Sequence, residues 1–477
     1  MQSRYKKLFT DTGLFAISNF SSKVLTFLLV PLYTSMLTTE EYGSVDIIST
    51  TITLVYPIIT LSIYDATLRF ALDKKYDNRA VFSTSVVLTF TATLFLVVLT
   101  PIFIGSSNFI GRYWWYFIGA FFSTTSHLCV ANYIKGRNQT KIFAIQGIIN
   151  TLVFLCFNIF LLAIVRIGVL GYFLSMIIGH LISTVYMLVA SKCYIDLFPF
   201  VFNKSVAKEM LIYSIPLIPT SIAWWVNASA DKYMILGLIG VSANGLYAVA
   251  HKIPSIFSTF ALLFSQAWRI SAISSFEDED KQMYYAKVQK MHMLVCLYCC
   301  LVLVFSSQLI AKILFKADYY QAWIFVPPLI IAALFDAYSG FLASIYAAAK
   351  KTKFLSVSEG VGTIVNICLN YTLIRCLGII GAPIATMISF AVVWLLRLKV
   401  MQSFMPIKVN MVRTILSLCI LVAGSFYYVL QMPYKYIVGI LMFAVIVVIN
   451  YRDTKNLAIM IKGALKSTFQ KFGGNKK

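Results

Sequence analysis

The sequence predicts an all-α polytopic membrane protein of about 14 transmembrane helices: two parallel six-helix repeats followed by two C-terminal helices. Three observations predict it. Hydrophobic residues fill 60% of 477 positions, charged ones only 12%, and mean hydropathy is +0.82; a soluble fold would lack the polar surface to wrap such a chain. Apolar stretches recur along the chain, each able to cross a hydrocarbon core about 30 Å thick, which takes roughly 20 helical residues. The basic residues alternate sides: of 40 Lys and Arg, 31 lie on one set of connections and termini and six (Arg112, Arg166, Lys312, Lys316, Arg375, Lys435) on the other, while Lys23, Lys232 and Lys252 sit inside apolar spans.

The first span, 12–36, is long and has no small-residue cleavage site, so it reads as a span and not a removable signal. The turn after it, Thr38 to Gly43, carries no basic residue and faces outward. Span 45–68 returns to Arg69, Lys74, Lys75 and Arg79. Loop cations are retained in the cytoplasm during insertion, which places these inside and both termini with them. Spans 81–104 and 113–134 follow, the second opened by the interfacial pair Trp114-Trp115 and closed by Lys135, Arg137 and Lys141; spans 142–165 and 169–190 complete the first set. Span 210–236 holds Trp224, Trp225 and Asp231-Lys232, with the two tryptophans deep enough to stack on sugar or to line the contact between lobes; span 241–265 holds His251-Lys252. The 266–290 loop, with Glu277 to Asp280 ahead of Lys281, Lys287 and Lys290, reads as a surface helix. Spans 291–315, 323–347, 354–374, 382–402, 414–431 and 436–451 finish the membrane part. In the tail, Leu457, Met460, Ile461, Ala464, Leu465 and Phe469 form one stripe, with Lys455, Lys462 and Lys466 off it, the pattern of an amphipathic helix on anionic lipid.

The chain repeats internally. Gln139-Thr140-Lys141-Ile142-Phe143 and Lys351-Thr352-Lys353-Phe354-Leu355 each open a span that contains an Asn (Asn158, Asn370) and ends in Gly-x-x-Gly. The turn Leu37 to Gly43 matches Ile239 to Gly245, and Ala66 to Arg69 matches Ala267 to Arg269. Matching elements are six spans apart, an even number, so the copies share one orientation and an axis along the membrane normal, as in many transporters. The expected organisation is an N-terminal lobe over 1–195, a cytoplasmic linker over 196–209, a C-terminal lobe over 210–403, two additional helices over 404–452 and a basic amphipathic tail over 453–477.

The formal net charge of +22 follows from the cytoplasmic loops of a many-span protein and does not indicate nucleic acid as a partner. No phosphate-binding Gly-rich loop ends in Lys-Ser or Lys-Thr, and the run Glu277 to Asp280 lies on the short 266–290 connection and not on a domain-sized loop, which speaks against an ATP-driven pump and a sugar-transfer enzyme. Cys296, Cys299 and Cys300 share a helix without a His or acid to complete a metal set, and no cofactor is expected. His127 and His180 fit helix-to-helix hydrogen bonds better than proton traffic.

A lysine inside a span costs several kcal/mol unless it meets water or a partner. Lys23, Lys252 and Lys232 therefore suggest a cationic cavity suited to an anion such as a phosphate, with a salt bridge to Asp46 or Asp336 as the alternative for Lys23 and Lys252. Lys232 can also pair with the adjoining Asp231. Asp65 and Arg69, spaced i,i+4, suggest an ion pair at a cytoplasmic gate. Asp46, Asp65, Asp336 and His251 are candidates for ion coupling or gating. Pro31, Pro57, Pro216, Pro219, Pro254 and Pro327-Pro328 permit bending within spans.

Asn19-Phe20-Ser21-Ser22-Lys23, Pro31-Leu32-Tyr33-Thr34, Glu41-Tyr42-Gly43 and Ala66-Thr67-Leu68-Arg69-Phe70, in that order, resemble the opening of Wzx-type polysaccharide flippases of the multidrug/oligosaccharidyl-lipid/polysaccharide exporter superfamily. Gln266-Ala267-Trp268-Arg269 and the Gly378 to Pro383 turn extend the resemblance over most of the chain. It implies a multi-pass protein of the bacterial inner membrane, and a secondary-type transporter, not an enzyme. Such a protein moves undecaprenyl-diphosphate-linked oligosaccharide outward by alternating access, for O-antigen, capsule or exopolysaccharide synthesis. By span position it places Lys23, Arg69, Lys232 and Lys252 around the diphosphate. The partners it implies are the lipid-linked substrate, membrane lipids, and polysaccharide polymerase and chain-length proteins. Two other readings stay open: a cation-coupled multidrug antiporter of the same superfamily, which would favour an acidic cavity, and a membrane-bound glycan-synthesis enzyme, which would need larger loops.

Overall fold

In a computed structural model the chain is described over residues 27–73, 75–104, 111, 113–197, 201–407 and 410–459. Every regular element among these residues is helical. Two compact units are distinguished, Met1–Val249 with Leu314–Tyr319, and Ala250–Ile313 with Tyr320–Lys477.

In the first unit, α1 (Val30–Met36) starts with Pro31 in its first turn, where a missing N–H costs nothing. Lys23 and the first part of span one lie outside the described residues. α2 (Thr39–Ile59) opens with a reciprocal cap: Thr38 accepts from the Glu41 amide, and the Glu41 carboxylate accepts from the Thr38 amide. Pro57 and the left-handed Leu61 and Ser62 then break the second span, which resumes as α3 (Ile63–Leu72). Next come α4 (Asn78–Val98), α5 (Thr100–Ile104), α6 (Trp114–Gly136), α7 (Thr140–Asn158) with a π-helical extension over Ile159–Ile164, and α8 (Gly168–Ser191). His127 and His180 join α6 to α8: Ser183 lies 2.9 Å from His127 Nδ1 and the two rings stack at 5.1 Å. α9 (Lys204–Ser214) is tied to the 73–77 turn by Tyr76, whose hydroxyl donates to Glu209 over 2.5 Å; that bond keeps the phenol proton on and raises its pKa. α10 (Ile218–Leu238) and α11 (Val241–Ala250) end the unit.

The α2 and α11 N-termini cross at a contact with internal two-fold character. A Cβ on Gly43 would strike the Val241 carbonyl, and a Cβ on Gly245 would strike the Thr39 carbonyl. Val241 stands to Gly245 as Thr39 stands to Gly43, the correspondence that the repeat aligns. Thr39 and Ser242 hydroxyls meet at 2.6 Å across the crossing. Close backbone approach through small residues is how membrane helices pack without a hydrophobic drive.

In the second unit, α12 (Lys252–Ser274) is separated from α11 at His251, because Pro254 cannot donate to the Ala250 carbonyl. α13 (Lys281–Leu314) has 34 residues, about 50 Å of helix, and so outruns the hydrocarbon core by way of the expected surface segment. A 3-10 stretch, Ala317–Phe325, leads into α14 (Val326–Ala348), the most buried helix of the unit. α15 (Lys353–Leu377) and α16 (Gly381–Met401) meet at a turn where Gly378 takes φ +71°, and α17 (Met411–Val429) and α18 (Lys435–Ile449) follow. A last described helix, α19 (Tyr451–Ile459), is bent 83° from α18. Trp268 stacks on Phe341 at 4.7 Å and His292 lies between Phe264 and Phe341, joining α12, α13 and α14.

Nine helices among the described residues are long and apolar enough to span a bilayer by themselves, with α18 and α19 a bent tenth; one of the nine stretches, Lys353–Met401, contains both α15 and α16. Of the other expected spans, 113–134 and 210–236 correspond to the continuous helices α6 and α10, which do not count among the nine, and 12–36 lies mostly outside the described residues.

Candidate functional sites within the membrane

Two polar clusters lie among apolar helices, one in each unit. The first is built by α2, α10 and α11. Lys232 Nζ lies 2.9 Å from Asp46 Oδ1 and 3.5 Å from Thr50 Oγ1. Asn244 Nδ2 donates to Asp46 Oδ2 at 3.2 Å and to the Gly43 carbonyl at 3.3 Å, so the same side chain serves the cluster and the glycine crossing. Asp231 accepts from the Lys232 amide at 2.9 Å and from the Tyr247 hydroxyl. Lys232 and Asp46 side chains are only 19% and 16% exposed, which makes their attraction stronger than at a surface. The Lys232 ammonium, placed by its span in a cationic cavity, is here paired with Asp46 of another helix. The local pair with Asp231 is not formed: Asp231 meets the Lys232 backbone amide instead. Trp225, expected to stack on sugar, is buried with its indole N–H donating to the Thr50 carbonyl at 2.9 Å, whereas Trp224 is exposed.

The second cluster joins α14, α15 and α16 around Arg397, which sequence reasoning assigned to the cytoplasmic set. Its guanidinium is buried and fully engaged: Nε donates to Ser358 Oγ at 2.9 Å, Nη1 to Ser339 Oγ at 2.8 Å, and Nη2 to Glu359 Oε1 at 2.5 Å. Asp336 is the one exposed position between Val326 and Ser339 and lies within electrostatic reach of both Glu359 and Arg397. A signal existed: Arg397 falls inside span 382–402, opposite in register to Glu359 at the start of span 354–374.

Lys252 stands in the first turn of α12, half-buried, and has no ion-pair partner among the described residues, Asp46 and Asp336 included. His251 is the residue before that helix. Arg69 is largely exposed at the end of α3 and pairs with Asp73 at 3.5 Å. The expected Asp65–Arg69 pair is therefore corrected: both acids are four residues from Arg69, and the arginine turns to the one beyond the helix end. The cation acting on half-buried Asp65 is Lys135 of α6. No group of three or more metal-ligating side chains occurs among the described residues.

The fold fixes the class first: an all-helical protein with many membrane spans. Its architecture is similar to that of the lipid II flippase MurJ in an inward closed conformation (15% identity over 92% of this chain and 99% of that one, TM-score 0.68). It is also similar to an inward-facing multidrug resistance MATE family transporter of the MOP superfamily (12% identity, 81% and 98% covered, TM-score 0.64). A third likeness is a MOP superfamily transporter from Pyrococcus furiosus with a binding pocket of reverse polarity (12% identity, 82% and 96% covered, TM-score 0.55). At such identities these likenesses establish the fold. No curated protein matches the chain significantly. The family model Polysacc_synt, polysaccharide biosynthesis protein, matches residues 8–274, and the chain belongs to that family.

Proposed function

We propose that this chain is a flippase, not an enzyme, that carries undecaprenyl-diphosphate-linked oligosaccharide across the bacterial inner membrane by alternating access, supplying O-antigen, capsule or exopolysaccharide synthesis. Membership of the polysaccharide biosynthesis family supports a glycan substrate, and the basic-loop asymmetry supports cytoplasmic termini. The observation that carries the reading is Lys252: an ammonium within an apolar span, half-buried and without a carboxylate partner among the described residues. Such a charge is tolerated where it meets water or an anionic guest, and a diphosphate supplies the missing countercharge. By the family resemblance Lys23 and Arg69 are further candidates for diphosphate contact; Lys232 holds the α2–α10–α11 cluster together. Asp46 and Asp336, carboxylates set among apolar helices, are the groups that exchange a coupling proton or cation. The six-helix lobes, 1–195 and 210–403, are the repeating units of this cycle, and polymerase and chain-length proteins receive its product.

Replacing Lys252 by Ala should reduce outward transfer of the lipid-linked oligosaccharide about ten- to 100-fold, the effect of losing one charge-assisted hydrogen bond, with normal membrane levels of the protein. Lys252→Arg should retain much of the activity. Unimpaired transfer by Lys252→Ala would remove the residue from the mechanism.

One observation favours a second reading. Asp336 is an exposed carboxylate on an otherwise buried stretch of α14, the kind of acid that a cation-coupled multidrug antiporter requires. That reading predicts resistance to cationic dyes in cells expressing the chain, abolished by Asp336→Asn and untouched by Lys252→Ala.

A further inference from the structure

α13, α17, α18 and the bend into α19 enclose a cleft of about 270 Å³ whose polar wall includes Lys290, Arg413, Asn450, Arg452 and Asp453. A hollow of about 480 Å³ adjoins it, shares Lys290 and Asp453, and adds Lys287 together with the apolar Met283, Met291 and Ile459. Four cations thus face one carboxylate, and none of the four has an ion-pair partner among the described residues. Like charges gathered in one concavity repel unless an anion joins them. The concavity is built by specific contacts: the 83° bend is held by Tyr298 and Thr454 hydroxyls 2.6 Å apart and by Asn450 Nδ2 donating to Ser417 Oγ at 2.9 Å, with Leu457 buried beneath α19.

The occupant must match more than charge. Along α12 and α13 runs an apolar groove of about 770 Å³, walled by Phe257, Phe260, Val295 and Val302, and Met291 lines both this groove and the cationic hollow. A free phosphate would use only the cations and a neutral lipid only the groove. We propose that α12, α13, α17 and α18 form a binding site for an anionic phospholipid, its phosphate held by Lys287, Lys290, Arg413 and Arg452 and one acyl chain laid along the α12–α13 groove. The site lies where the basic connections gather, the leaflet face on which basic pockets between helices capture anionic headgroups. Because α19 leaves α18 nearly at a right angle at this cleft, the bound lipid also seats α19 in the interfacial plane.

The test uses the full-length protein purified in mild detergent and titrated with phosphatidylglycerol or phosphatidylcholine, with adducts counted by native mass spectrometry. The wild type should bind phosphatidylglycerol in preference to phosphatidylcholine. Lys290→Gln/Arg413→Gln/Arg452→Gln should weaken phosphatidylglycerol binding about 100-fold, roughly fivefold per cation removed. Asp453→Asn, which removes the one acid and should fold normally, should strengthen it about fivefold. Equal retention of the two lipids by the wild type would overturn the proposal, as would an Asp453→Asn variant with unchanged binding. Displacement of phosphatidylglycerol by millimolar inorganic phosphate would reassign the site to a soluble anion, and displacement by equimolar polyprenyl diphosphate would reassign it to the transport substrate; either sinks the phospholipid claim. Since the readout is lipid retention, its failure leaves the transport reading of Lys252 standing.

Discussion

Asp46 receives Lys232 and Asn244 from two different helices, so its charge is stabilised by groups that the chain brings together only on folding. Removing half of a buried ion pair leaves an uncompensated charge, whereas removing both halves often does not. Lys232→Met should therefore lower stability by about 3 kcal/mol, and Lys232→Met/Asp46→Leu by less, as thermal melting in detergent would register. Equal loss in both variants would mean the pair contributes nothing beyond packing. Arg397 is the stricter case, because its planar fork serves Ser339, Ser358 and Glu359 at once. Arg397→Lys should melt nearly as early as Arg397→Gln, since one ammonium cannot reproduce three directed bonds. These residues also mark the limit of sequence reading. Asp46 and Lys232 lie toward the same end of their spans, but which spans touch is a tertiary fact. Arg397 was hidden by its nearness to the end of a span, where a cytoplasmic loop cation and a buried one look alike. For Arg69 the i,i+4 rule offered Asp65 and Asp73 equally, and only the helix end decides between them.

At the scale of elements, the succession of apolar helices was legible because hydropathy and charge alternation act on every stretch of backbone in lipid, whatever its neighbours; their limits were not, since the expected span 241–265 divides into α11 and α12, and α12 runs on to Ser274. The matched turns at Leu37 to Gly43 and Ile239 to Gly245 were legible as a repeat, and their mutual contact was not. That contact makes a symmetric demand: at Gly43 and Gly245 a methyl group meets a facing carbonyl. Gly43→Ala and Gly245→Ala should each destabilise the first unit by about 1–3 kcal/mol through overpacking. The double variant should cost less than the sum, because one displacement of α11 from α2 relieves both clashes. Simple additivity in melting experiments would show that the glycines are not coupled. Breaks within spans were legible only as permissions. Pro57 and Pro254 announced that helices could break, but the left-handed Leu61 and Ser62 that complete the first break have no sequence signature of their own.

For the whole molecule, family membership and the shared fold agree with what alternating cations, apolar spans and internal repetition predict. The correction concerns charge. Among the expected intramembrane cations, Lys232 pairs with Asp46, whereas Lys252 has no ion-pair partner among the described residues. Under the proposed function, anion binding rests on Lys252 and coupling on Asp336. Asp336→Asn should accordingly remove any dependence of transfer on the membrane ion gradient while leaving substrate binding intact, a separation that transport with and without an imposed gradient would reveal. The central claim is most directly tested by a leaflet-resolved transfer assay in proteoliposomes containing undecaprenyl-diphosphate-linked oligosaccharide, comparing wild type with Lys252→Ala at matched protein levels. The account predicts transfer by the wild type and about ten- to 100-fold less by the variant. Equal transfer by the two proteins, or none above empty liposomes by the wild type, would contradict it.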